Sequence, residues 1–334
     1  MRTTTLLLLV AATVLAPGGV LAQNANLGTS GAQFLQIPAG AREAAMGGAT
    51  AGHVRNAAAL FWNPAGIAQV PSNDLFFAHT TWWATIDLNH AAYVHTFEDI
   101  GSVGAFMTVL SMDPMEVTTE LEPDGTGEQF DSQDLMLGVS YARWLTEDFA
   151  VGVSVKYVNQ RIWNEVAAGI AFDVGTQFRL GLRDLTLAMS MTNFGPDLQY
   201  DGDDLNVKYD ASSEYPMNRL SPASLATEEY SLPLYFQVGV AMTVVETDAF
   251  SALLAADFAH PNDNQERVNI GAELTVVKYV ALRAGYRVGY DVESLTLGAG
   301  VQIPLGGTAL QFDYAYALHD LLPDIHRISI GFGF

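Results

Sequence analysis

Ile328-Ser329-Ile330-Gly331-Phe332-Gly333-Phe334 closes the chain, with a large apolar residue on every second position and an aromatic as the last residue. The same beat recurs upstream as Leu310/Phe312/Tyr314/Tyr316, Leu295/Leu297/Ala299/Val301/Ile303, Val280/Leu282/Ala284/Tyr286/Val288 and Val151/Val153/Val155/Tyr157. A period of two is a strand with one apolar face. The opposite face carries small and polar residues with single charges, as in Ala281/Arg283/Gly285/Arg287/Gly289. An apolar outside and a small, polar inside is what a closed sheet in lipid requires, because the bilayer leaves no water to satisfy an unpaired backbone group.

The start of the chain predicts export. Arg2 precedes an apolar core from Leu6 to about Leu15, Pro17-Gly18-Gly19 interrupts it, and Val20-Leu21-Ala22 reads as a small-residue cleavage site before Gln23. Residues 1–22 are thus expected to be a signal peptide. The apolar stretch is too short to span a bilayer as an anchor. With no Cys in the chain there is neither a lipid-modified cysteine nor a disulfide framework. With Arg2 removed, 14 basic against 37 acidic residues leave a formal charge of −23, which disfavours a nucleic-acid partner. Charged residues make up only 16% of the chain, low beside roughly 25% in soluble domains. That suits hydrophobicity spread over alternate positions rather than gathered in membrane helices.

From about Asp74 the pattern predicts about fourteen strands, beginning near 74, 89, 102, 132, 149, 165, 184, 233, 249, 265, 279, 294, 307 and 326. The connections after even-numbered strands are tight, such as Glu98-Asp99-Ile100-Gly101, Thr146-Glu147-Asp148 and Leu305-Gly306-Gly307. The two longest connections, Met112–Asp131 and Asn193–Ser231, both follow odd-numbered strands. Short inner turns alternating with longer outer loops are the expected asymmetry of an outer-membrane barrel.

The same alternation puts Lys156, Asp173, Gln177, Gln237, Asp257, Glu273, Arg283, Arg287, Gln302 and Asp313 on the lumen side, with Glu273 and Arg283 opposite one another across the turn at Lys278. These charges either satisfy one another as interior filling or line a path for an ion or ligand. Trp82, Trp83, Trp144, Trp163, Tyr290 and Tyr316 fall near strand ends and read as interfacial belts.

Residues 23–73 do not alternate. Gly40-Ala41-Arg42-Glu43-Ala44-Ala45-Met46-Gly47-Gly48-Ala49 and Phe61-Trp62-Asn63-Pro64-Ala65-Gly66 combine small residues with brief helical stretches. Asn63 as cap with Pro64 in the first helical position is a sound helix start. Since Phe34, Leu35, Leu60, Phe61 and Trp62 need an apolar wall, the segment is expected to be a plug inside the lumen. Arg42, Glu43 and Arg55 are its candidates to meet the wall's charges. The expected fold is therefore all-β, an antiparallel transmembrane barrel of about fourteen strands over 74–334 with a small N-terminal plug of short helices.

The N-terminal motifs, Gly-Thr-Ser-Gly-Ala-Gln-Phe-Leu (28–35), Gly-Ala-Arg with Ala-Met-Gly-Gly-Ala (40–49) and Phe-Trp-Asn-Pro-Ala-Gly (61–66), resemble the PorV/PorQ family of outer-membrane barrels within the wider FadL-like group. The resemblance implies an outer-membrane receptor or shuttle for exported cargo in type IX secretion, working with other secretion components. The FadL-like side of it implies a conduit for a hydrophobic ligand. It also implies that the last strand, through Ile330, Phe332 and Phe334, presents the signal read by the barrel assembly machinery.

No enzymatic motif stands in the chain: there is no G-x-S-x-G, P-loop, G-x-G-x-x-G or H-E-x-x-H. His90 and His95 sit five apart on a strand and point to opposite faces, so they do not make a metal pair. The acidic loops around Glu120–Glu128 and Asp197–Asp210 lack the EF-hand order and read as a solvated rim. No cofactor and no metal is expected.

Overall fold

The computed structural model describes residues 26–182, 184–209, 221–319 and 322–334. The expected signal peptide, its cleavage site and the end of the second acidic loop at Asp210 lie outside the described residues.

Fourteen strands form the wall: β1 (Asn73–Thr81), β2 (Ile86–Phe97), β3 (Gly101–Met112), β4 (Ser132–Trp144), β5 (Phe149–Ile162), β6 (Glu165–Arg179), β7 (Thr186–Phe194), β8 (Tyr235–Glu246), β9 (Phe250–Pro261), β10 (Arg267–Val276), β11 (Val280–Val288), β12 (Glu293–Leu305), β13 (Thr308–His319) and β14 (Ile325–Gly333). Each pairs antiparallel with its neighbours in sequence. The seam is closed by β1 on β14, in register from Asp74↔Gly333 to Thr81↔His326, so the sheet has no free edge. Phe334 extends the seam: its N–H donates to the Asn73 carbonyl, and the Asn73 N–H donates back, both at 3.0 Å.

The strands are inside out relative to a soluble barrel. In β11 Val280, Leu282, Tyr286 and Val288 are exposed, whereas Arg283 and Arg287 are buried. In β14 Ile328 and Ile330 face outward, with Arg327 and Ser329 inward. This is the alternation lipid imposes. At one end the connections are tight. Val277 and Lys278, and likewise Gly306 and Gly307, occupy consecutive positive-φ positions, as two-residue hairpin turns require. At the other end lie the long loops. The first carries a short Met115–Glu116/Gln129–Phe130 hairpin. The second folds back on the rim: Leu198 bridges Tyr230, Asp201–Gly202 pairs with β6, and Leu198 and Leu232 are buried.

The aromatic belt needs correction. Trp144 turns inward, where its Nε1 donates to the Ala68 carbonyl at 2.8 Å and the Arg179 guanidinium stacks 4.1 Å from its ring. Tyr290 and Trp82 likewise lie against arginines, Arg267 and Arg287 for the first and Arg327 for the second. An indole or phenol near a strand end serves a lumen cation as readily as a lipid interface, and position along the strand does not separate the two.

Fourteen strands leave an interior wider than the roughly eight-strand barrel that side chains alone fill. The N-terminal segment occupies it as short pieces: a 3₁₀ turn over Gln33–Gln36, helices α1 (Ala41–Ala45) and α2 (Ala59–Trp62), and a second 3₁₀ helix over Pro64–Gln69. Ala41, Ala44, Ala45, Met46, Leu60 and Ile67 are fully buried.

Candidate functional site

The plug is fastened to the wall nearly all the way round. In α1 the Ala41 N–H donates to Ser329 Oγ on β14 at 3.1 Å, and Thr296 Oγ1 on β12 donates to the Ala45 carbonyl at 3.1 Å. The small residues of 40–49 are what let a helix lie this close to the wall. Gly47 and Gly48, at φ 68° and 78°, then reverse the chain so that their carbonyls face outward. Gly47 O accepts from Arg287 Nε at 3.0 Å, and Gly48 O accepts from Gln237 Nε2 at 3.2 Å.

The lumen charges read from the sequence form four separate clusters. The first is the largest. Arg42 of the plug makes a forked pair with Glu273 at 2.8 and 2.9 Å; Arg283 reaches Glu273 at 2.5 Å and Asp313 at 2.7 Å, and Gln311 donates to Asp313. Glu273 and Arg283 stand in direct register across the β10–β11 turn. The second cluster centres on Asp257, which accepts from the Thr50 and Ala51 N–H groups at 2.6 and 2.9 Å and from Gln237. The third joins Arg287 to Glu293 at 2.6 Å. The fourth joins Lys156 to Asp173 at 2.7 Å and to Asn193. Asn193 sits at φ 65° where the β6–β7 ladder slips, so a bulge aims its side chain at the cluster. Clusters one to three touch the plug directly; the fourth satisfies itself in the wall.

The Phe-Trp-Asn-Pro-Ala-Gly motif is the plug's second anchor. Asn63 caps the 3₁₀ helix by accepting from the Ala65 N–H at 3.1 Å, while its amide donates to the Ala51 and Thr176 carbonyls, each at 3.1 Å. Pro64 opens the helix, and Ala65 and Gly66 are buried behind it. Gly152 and Gly175 on the wall leave the room: a Cβ on the first would collide with Pro64 and Ala65, and on the second with Asn63. Trp62 Nε1 donates to the Ala39 carbonyl at 2.9 Å. Arg55 reaches Asp184 in the β6–β7 turn at 3.0 Å. Glu43 does not meet a wall charge. Its carboxyl is buried with neither oxygen hydrogen-bonded, and burial pushes its pKa up to about 7. His53 is buried in the plug too, and burial pushes it down to about 3.

Toward the long loops the plug leaves a cavity of about 80 Å³. Its apolar lining includes Phe34, Leu35, Leu60, Phe61, Phe106 and Met136, and its polar lining Lys156, Asn193, Arg267, Arg287 and Tyr290.

Among solved structures the chain is similar to the Pseudomonas putida toluene transporter TodX, at 14% identity over 87% of this chain and 96% of that chain, with a TM-score of 0.56. It is similar to a Pseudomonas aeruginosa FadL homologue at 13% identity, over 87% of this chain and 98% of that chain, TM-score 0.54. The CymD monoaromatic hydrocarbon channel follows at 15% identity, 87% and 95% coverage and 0.53. At these identities the likeness is one of fold. No curated protein matches the chain in sequence. The family model described as type IX secretion system protein PorV matches residues 20–207, more than half of the chain, including all three N-terminal motifs and the first seven strands. The chain belongs to the PorV family.

Proposed function

We propose that this chain handles exported protein at the outer membrane, as a docking barrel of a type IX-like secretion system. The observation that carries this reading is the fastened plug. Its bonds run from β14 and β12 through β10 and β9 to β6, so the lumen is filled rather than open. A filled barrel meets a folded partner at its rim and loops, not through its bore. The PorV match across plug and early strands supports the same reading. The test is deletion of the gene in the organism that carries it, with cross-linking of the tagged protein in its own outer membrane. Exported cargo should accumulate in the periplasm, and secretion components should be captured with the barrel. Undisturbed secretion would contradict the proposal.

A second reading, passage of hydrophobic molecules, is favoured by the apolar lining of the cavity. At about 80 Å³ that cavity is smaller than the roughly 150 Å³ that holds a benzene. On this reading the plug must shift before any ligand enters. Uptake of labelled toluene by cells expressing the protein, compared with the empty membrane, tests it.

A further inference from the structure

Arg327 is the largest fully buried side chain of the wall, 1% exposed, and among the described residues none of its three guanidinium nitrogens has a hydrogen-bond partner. The Trp82 ring lies 5.8 Å from the guanidinium carbon. The nearby carboxylate does not hydrogen-bond it: Glu293 puts one oxygen on Arg287 at 2.6 Å, and its other oxygen is buried without a hydrogen-bond partner. A buried arginine whose nitrogens are all unpaired is costly, and a bound anion is one partner that would satisfy it. Two further orphans share this part of the lumen. Thr80 stands directly opposite Arg327 across the β1–β14 seam, 1% exposed, with its hydroxyl unpaired. His90, on the next strand, is opposite Ala78 and so diagonal to Thr80; it is 4% exposed and its Nε2 is unpaired. His90 Nδ1 lies 2.9 Å from Thr108 Oγ1. With the hydroxyl donating to Nδ1, the ring carries its proton on Nε2 and becomes a donor. A guanidinium fork, a hydroxyl and an imidazole N–H then stand on neighbouring strands, each with donor capacity unused.

We infer that Arg327, Thr80 and His90 form an anion site in the loop-end half of the lumen, suited to a single carboxylate group or a halide. The guanidinium supplies the charge and the fork, Thr80 and His90 supply the side donors, and Trp82 closes the site over the arginine. The site is separate from the Arg42–Glu273–Arg283–Asp313 cluster, which is internally neutralised and lies toward the turn end.

Trp82 reports on the site directly. Iodide is both an anion and a fluorescence quencher, so it is titrated into the full-length protein in detergent at ionic strength held constant with sodium fluoride. The component of quenching lost in Trp82→Phe is the signal. It should saturate, vanish in Arg327→Gln and weaken about tenfold in Thr80→Val, the loss of one hydrogen bond to a charged group. Displacement of iodide by acetate identifies a carboxylate site, and displacement by chloride alone a halide site. Should Arg327→Gln fail to fold, Thr80→Val decides. Quenching that rises linearly in the wild type, that is unchanged in both variants, or that neither acetate nor chloride reverses would overturn the site.

Discussion

Arg42 of the plug and Glu273 of the wall form a forked ion pair at 2.8 and 2.9 Å inside the barrel, where both side chains are largely shielded from water. Glu273 is held from the other side by Arg283, which is held in turn by Asp313. The plug is thereby tied directly to β10 and, through Arg283, to β11 and β13. Two arginines against two acids leave the cluster neutral, so the tie holds the plug without adding net charge to the lumen.

Removing one partner of such a cluster strands the others. Arg42→Ala should loosen the plug at a cost of about 3 kcal/mol, whereas Arg42→Ala combined with Glu273→Gln should recover part of the loss. Thermal unfolding of the detergent-solubilised barrel measures both. An additive double variant would mean that the pair does not couple plug to wall.

Asn63 makes three bonds with one side chain. Asn63→Ala should cost about 2–4 kcal/mol, the sum of a lost cap and carbonyls left under-satisfied. Asn63→Asp keeps the cap acceptor but loses both donations, and should fall between the two. Equal losses from Ala and Asp would assign the whole effect to the donated bonds.

The wall glycines are specific to plug docking. Gly152→Ala and Gly175→Ala place a methyl group against Pro64 and Asn63 respectively. Overpacking of this kind costs about 1–3 kcal/mol. Heat-modifiable migration should persist, because β5 and β6 keep their ladder, while channel recordings should show fluctuating conductance. Silent recordings from both variants would mean that the plug tolerates the displacement.

Glu43 makes the plug sensitive to pH. Its folded-state value of about 7 lies above the ordinary 4.5, so its contribution to stability is complete below about pH 4.5 and is lost as pH rises to about 7. The difference is about 3 kcal/mol. Glu43→Gln should therefore raise the unfolding temperature at pH 8 and change it little at pH 4.5. A shift of the same size at both values would contradict the assignment.

Much of this was legible because lipid enforces a strict alternation. The predicted strand starts fall within about three residues of those observed, with 132, 149 and 165 the same in both. The Glu273–Arg283 pairing followed from the short turn between them. Arg327 carries the same signal, in step with Ser329 and Gly331 on the polar side of the terminal strand, although it is not among the lumen charges named from the sequence. What alternation does not encode is depth and company. Trp144 lies at a strand end in the sequence yet turns toward Arg179. The lumen charges divide by company rather than by height alone: Asp257 and Arg287 share one cross-strand row through Asn269 yet belong to different clusters. Leu198 and Leu232 are buried because their loop folds back over the rim, a contact with no local pattern.

The seam bears on assembly. Phe334 extends the β1–β14 ladder, and the Phe332 and Phe334 rings lie 5.3 Å apart. Phe334→Ala should lower the amount of barrel in the outer membrane without lowering export to the periplasm, as measured by fractionation. Undiminished membrane levels would remove Phe334 from any role in assembly.

The most direct test of the account is the conductance of a barrel lacking Asn24–Pro71, set against the full-length protein in planar bilayers. The deletion barrel, checked by heat-modifiable migration, should conduct ions steadily, and the intact protein should conduct little. A folded deletion barrel that conducts no better than its parent would contradict the claim that this segment closes the lumen.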